Sequence, residues 1–182
     1  MTRVNPLDVS FMTPDQRNVY NAISNGPRGG VRGPLAVWLH RPELAQTAQA
    51  FGAYCRYETL LSPKLSELAI LTVARFWSSE YEWYAHKPIA LEAGVAEATL
   101  EAIRCHSLPA FEHSDERAVH AFVSALQSLK HVPESLYRET VDVLGQGAVI
   151  DLVGLVGYYT LISMTLNTFE INPPSEHKRE LE

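Results

Sequence analysis

Cysteine is scarce. The 182 residues hold two, Cys55 and Cys105, with no Cys-x-x-Cys pair and no Cys/His finger spacing. This excludes a disulfide scaffold and a zinc finger, and it predicts buried thiols in a reducing, cytoplasmic setting. Basic runs are missing too. Net charge is −6 and no helix face gathers Lys or Arg, which argues against a nucleic-acid partner. No stretch alternates apolar and polar residues with period two between turn signals, so no strand is expected. The first residues, "MTRVNPLDVSFMTPDQ", contain no apolar core of the kind a secretory signal needs. One long apolar run is present, Ala148 to Phe169, and it has the length of a bilayer span. It carries Asp151, Asn167 and two tyrosines, and is read as a core or interface helix with no membrane partner.

Hydrophobic residues make up 46% and charged residues 20%, the balance of a folded globular chain with one sizeable core. Residues 1–34 read as an arm and loop. "NGPRGGVRGP" dominates its end, and a short helix is expected after Thr13-Pro14. "RGGVR" lacks the spacing and the Lys-Ser/Thr ending of a phosphate loop. Residues 35–171 read as a single all-helical domain. Pro42–Tyr57 carries apolar residues at helical spacing, and Ser62-Pro63 opens a second helix as N-cap and first residue. Ser78 or Ser79 starts a third, with Gly94 placed to end it. Further helices follow at "VAEATLEAI", from Ser114-Asp115 to about Leu129, over "VPESLYRETVDVLG", and through the apolar run. "LSPKLSE" and "HVPESLY" echo each other about seventy residues apart. The tail, 172–182, is polar and is expected to fray.

The chemistry concentrates in "SSEYEWYAH", Ser78 to His86. On a helix, Ser79, Glu82 and His86 share a face. A carboxylate one turn from an imidazole raises its pKa and fixes its orientation, which makes an acid/base unit where substrate has access. Glu67, in the preceding helix, could supply a second carboxylate if the two helices form a hairpin. Arg75, two turns on from Glu67, could neutralise an anionic substrate or pair with Glu67. A plainer reading stands beside this one. Ser79-x-x-Glu82 is also a capping box, with Glu82 serving the helix start and His86 bonded to a carbonyl. Tyr81, Trp83 and Tyr84 could wall a pocket or anchor a core. Glu67, Glu82 and His86 make a thin metal-ligand set, and no HExxH is present, so no metal and no cofactor are expected. His106, His113 and His120 recur every seven residues, but Pro109 separates the first two and denies them a common helix.

"LSPKLSELAILTVARFWSSEYEWYAHKPIALEAGV" and the later "DLVGLVGYYTLISMTLNTFEI" resemble the carboxymuconolactone decarboxylase family, whose superfamily includes the alkylhydroperoxidase D (AhpD) proteins. The pattern Glu-x11-Ser-x2-Glu-x3-His carries the resemblance, which runs from about Leu35 to Ile171. It implies an all-α, AhpD-like helical fold of two similar halves, assembled as a homotrimer or hexamer, with a pocket beside the motif helix. The peroxidase branch of the superfamily places Cys-x-x-Cys between the glutamate and the histidine. Here Ser79 and Glu82 stand there, and neither can cycle through sulfenic acid and disulfide, so thiol peroxidase chemistry is not expected. The decarboxylase branch removes CO2 from a small carboxylated lactone of aromatic catabolism without a cofactor. By that resemblance His86 is the expected proton donor or charge stabiliser, Glu82 its relay and Glu67 the completion of the network. Ser79, Arg75, Arg56, His40 and Trp83 are candidate substrate contacts. The alternatives are a non-catalytic oligomeric binding protein for small molecules and a peroxidase-related redox protein.

Overall fold

The computed structural model describes residues 2–181 and contains helices and no strand among them. After a short 3-10 turn at Val9–Phe11 come α1 (Pro14–Ser24), α2 (Pro34–Trp38), α3 (Pro42–Tyr57), α4 (Pro63–Phe76) and α5 (Glu80–Glu92). They are followed by α6 (Glu97–Arg104), α7 (Ser114–Leu129), α8 (Glu134–Leu144) and α9 (Gln146–Thr168). Local chemistry explains most of the boundaries. Thr13 and Gln16 form a reciprocal capping box at α1. Pro63 follows the cap Ser62, whose Oγ accepts from the Leu65 amide. Gly94 takes the left-handed conformation just past α5, at φ 93°. The short α2 was not legible in the sequence, because five residues carry too little periodicity.

α4 is the axis of the molecule. It packs against α5, α6, α7 and α9, and every residue from Leu65 to Arg75 is buried. A helix covered on all sides must satisfy its polar residues within the protein. Thr72 Oγ1 donates to the Leu68 carbonyl, while Glu67 and Arg75 reach across to other elements. α9 passes a length and hydropathy test for a membrane span, yet 61% of its apolar window is buried inside the fold. Its acid, Asp151, accepts from Tyr54 Oη at 2.6 Å and from the Leu60 amide at 2.8 Å. The run is a core helix, as its polar residues suggested.

The tail does not fray. The Glu80 carboxylate accepts from the amides of Glu180 (2.7 Å) and Leu181 (3.0 Å). Arg75 and Arg104 donate to the Leu181 and Glu180 carbonyls, Glu180 pairs with Lys87, and the Leu181 side chain is buried. The expectation failed because partners on α4, α5 and α6 lie about a hundred residues upstream, beyond any local pattern.

Candidate active site

α4 and α5 form the expected hairpin, and it brings Glu67 to His86. Nδ1 of His86 donates to Glu67 Oε2 at 2.7 Å, and Nε2 pairs with Glu82 Oε1 at 3.0 Å, one turn back on α5. All three side chains are buried. The imidazole is thus held at both nitrogens by carboxylates, with the edge of Tyr159 against it at 5.2 Å between ring centres. Burial works against the imidazolium, but Glu82 and Glu67 outweigh it and raise the His86 pKa to about 9. At neutral pH the unit is therefore an imidazolium between two acids.

The capping-box reading of Glu82 fails on two observations. Ser79 is the N-cap of α5, but its Oγ is buried and bonds to nothing among the described residues. Its amide already donates to the Ala74 carbonyl at 2.8 Å, so no orphan donor awaits Glu82. The carboxylate is left for His86.

Glu82 and His86 line a cavity of about 210 Å³, together with Tyr81, Tyr158, Tyr159 and three arginines, Arg28, Arg32 and Arg56. None of the three arginines forms an ion pair among the described residues. Arg28 Nη2 reaches Tyr158 Oη at 3.4 Å, and its Nε is buried without a partner. Burial pushes the Tyr158 phenol up to about 12 and raises Tyr159 and Tyr81, so the cavity presents neutral hydroxyls, cations and one carboxylate–imidazolium chain. Gly52 allows this packing. A Cβ there would lie 2.1 Å from Tyr158 Oη and 2.5 Å from Arg28 Nη2.

Of the other candidates, only Arg56 lines this cavity. His40 is exposed and bonded to the Asn5 carbonyl. Trp83 is fully buried on the far side of α5, its Nε1 facing Glu180. Arg75 points away from Glu67 into a different cavity. Eight residues make a little over two helical turns, about 80° of net rotation, and roughly 12 Å of rise, which give the two side chains different partners. Ser79 lies outside the lining. Sequence reasoning missed Arg28, Arg32, Tyr158 and Tyr159. The "RGGVR" loop was weighed only as a phosphate loop, and the tyrosines were read as part of an apolar helix. Among the described residues, no group of three or more His, Cys, Asp or Glu side chains is arranged to hold a metal ion. The two nitrogens of His86 face opposite ways, each toward its own carboxylate.

Residues 42–125 match the model of the Carboxymuconolactone decarboxylase family. That span includes Glu67, Ser79, Glu82 and His86, but not Arg28, Arg32, Tyr158 or Tyr159. None of the curated proteins matches the chain. Among solved structures, it is similar to the AhpD core of a peroxidase-related protein from Ralstonia eutropha JMP134, with TM-score 0.79 and 16% identity over 96% of this chain and 93% of that one. A peroxidase-related protein from Silicibacter sp. TM1040 gives TM-score 0.75 and 16% identity, covering 100% of this chain and 96% of its own. The debrominase Bmp8, as a cysteine-to-alanine variant in complex with 2,3,4-tribromopyrrole, gives TM-score 0.73 and 17% identity, covering 93% of this chain and 90% of its own. Residues 42–125, from α3 into α7, thus resemble the carboxymuconolactone decarboxylase family, and the chain shares the AhpD-like fold of these solved structures.

Proposed function

We propose that the protein is a cofactor-free carboxy-lyase, acting in the cytoplasm on a small carboxylated lactone or a related carboxylic acid of aromatic catabolism. The observation that carries this reading is the chain Glu67–His86–Glu82, which opens at Glu82 into a cavity lined by three arginines without carboxylate partners. Arg56, with Arg28 and Arg32, suits a substrate carboxylate or carbonyl oxygen. The scissile C–C bond breaks, CO2 leaves, and the electron pair passes into the conjugated ring carbonyl as an enolate. Cations and neutral phenols facing that oxygen stabilise the developing charge. A proton must then reach carbon. Both nitrogens of His86 are engaged, so the Nε2 proton passes to Glu82, which delivers a proton to carbon. The product side leaves a neutral imidazole still donating to Glu67, and solvent restores its proton. This reverses the roles expected from the sequence: His86 is the reservoir and Glu82 the group that touches substrate.

Thiol chemistry has no support in the cavity. No cysteine lines it, Cys55 is buried with its pKa raised by burial to about 11, and Cys105 is exposed beside Glu101 and Arg104. The reading includes self-association as a trimer or hexamer. α9 exposes Ile150, Val153, Leu161 and Met164, and Phe51 and Leu60 are exposed nearby in the fold. Light scattering on the purified chain tests that part.

The catalytic reading is tested by CO2 release over a panel of carboxylated lactones and β-keto-type acids, with wild type, Glu82→Gln and His86→Gln side by side. Release by wild type that falls at least a hundredfold in both variants is expected. Full activity in Glu82→Gln would sink the relay. Saturable binding with no release by wild type would leave a small-molecule binding protein.

A further inference from the structure

Arg75 is a buried cation with no carboxylate counter-ion among the described residues. Its Nε donates to the Arg104 carbonyl at 2.8 Å, and its Nη1 to Ser78 Oγ at 3.1 Å and the Leu181 carbonyl at 3.3 Å. These are neutral oxygens. Among the described residues no carboxylate pairs with it, and its Nη2 makes no hydrogen bond. Only 8% of the residue is exposed. The C-terminal ends of α4 and α6 and three neutral oxygens offset that charge in part, and a bound anion would complete the compensation.

Arg75 lines a second cavity at the C-terminal end of α4, of about 530 Å³, larger than the one at Glu82. The two share no lining residue. Among the described residues no acidic side chain lines the second cavity. One wall is apolar, built from Phe76, Ile103 and Leu108, and Leu108 is 85% exposed in the open cavity. Opposite chemistry comes from α7, through Ser124 and His120. The His120 ring lies against Phe111, and burial lowers its pKa, so it offers a neutral imidazole at pH 7. A buried guanidinium, a neutral polar edge and an apolar wall together describe an amphipathic acid.

We propose that this second cavity binds a small monocarboxylic acid with an aromatic or branched apolar body, its carboxylate on Arg75 and its body against Phe76, Ile103 and Leu108. The site is separate from the Glu67–His86–Glu82 unit and does not depend on the catalytic reading. Its nature accounts for Arg75, which the sequence marked as an anion contact and which the fold places away from the acid/base unit.

The probe is benzoate, with benzamide as the neutral isostere, titrated calorimetrically into the full chain. Crystals soaked in 4-bromobenzoate locate the bromine by its anomalous signal. Saturable benzoate binding is expected, at least about tenfold tighter than benzamide, with the bromine between Phe76 and Leu108. Arg75→Gln weakens binding about tenfold or more. Because Arg75 also holds the tail, Ser124→Phe provides the second variant. It fills the cavity with Arg75 intact and is expected to abolish binding while the thermal melting curve stays unchanged. Arg56→Gln, in the other cavity, leaves binding as in wild type. Bromine only in the Arg56 cavity, equal affinity for benzamide, indifference to Ser124→Phe, or binding at crystal concentration only would each overturn the proposal.

Discussion

His86 should act as a pH-dependent support of the fold, and the size of the effect follows from its surroundings. Its pKa stands at about 9 in the folded chain against an ordinary 6.5, because two carboxylates outweigh burial. A group whose folded pKa is raised contributes stability that is fully present below its unfolded pKa and is lost as pH rises through the folded value. The window is therefore pH 6.5 to about 9. A difference of some 2.5 units at 1.36 kcal/mol each gives about 3 kcal/mol. Denaturant unfolding of wild type and His86→Gln across pH 6 to 10 measures it. Other groups that titrate in that range contribute to both proteins, so the difference between the two isolates the imidazole. Wild type should lose about 3 kcal/mol more than the variant over the window. Histidine NMR should show one ring that stays charged until near pH 9. Parallel stability curves, or an imidazole titrating near 6.5, would refute the double-carboxylate clamp.

Three further outcomes are expected. Gly52→Ala sets a Cβ against the Tyr158 ring and Arg28. It should destabilise by about 1–3 kcal/mol and disturb the Glu82 cavity, read by urea unfolding and by ligand affinity. Removing 172–182 strips Leu181 and the Glu80 and Arg104 contacts from the core, so the unfolding free energy should drop by about 2–4 kcal/mol. Ser62→Ala should cost about 1 kcal/mol through loss of the α4 cap, whereas Ser79→Ala should be neutral or slightly stabilising, since its buried hydroxyl has no partner to lose. A Ser79→Ala cost equal to that of Ser62→Ala would show a missed contact.

How far the sequence could be read depended on whether the deciding interaction was local. The span Pro42–Tyr57 was fixed by a helical apolar pattern between a proline and a loop, and α4 by Ser62-Pro63; both were legible. Glu82 and His86 are four residues apart on one helix, and Glu67 joins them through a hairpin with a three-residue connection, so the core of the site was legible too. The cavity was not. Its arginines come from a glycine-rich loop and from the end of α3, and the phenols Tyr158 and Tyr159 from α9, more than seventy residues further on. Only packing brings those segments together. Trp83 and His40 were chosen by residue type alone, and the fold turned each to another partner.

The choice Glu82 makes between a helix cap and a histidine links the sequence to its chemistry. A carboxylate has two oxygens and could serve both the amide at the helix start and an imidazole a turn above, but only the imidazole takes it here. In this chain the backbone settles the matter, because Ser78 takes a left-handed turn at φ 46° and the Ser79 amide is spent on the Ala74 carbonyl. No capping partner is needed, and Glu82 turns inward. The result is three ionisable groups buried together. Such a cluster is a poor device for stability alone. Desolvating the ions costs much of what their attraction returns, and well-packed apolar side chains of the same volume usually do as well or better. A strongly perturbed imidazole, clamped on both sides, with one of its acids facing a cation-lined cavity, suits the proton transfer proposed above.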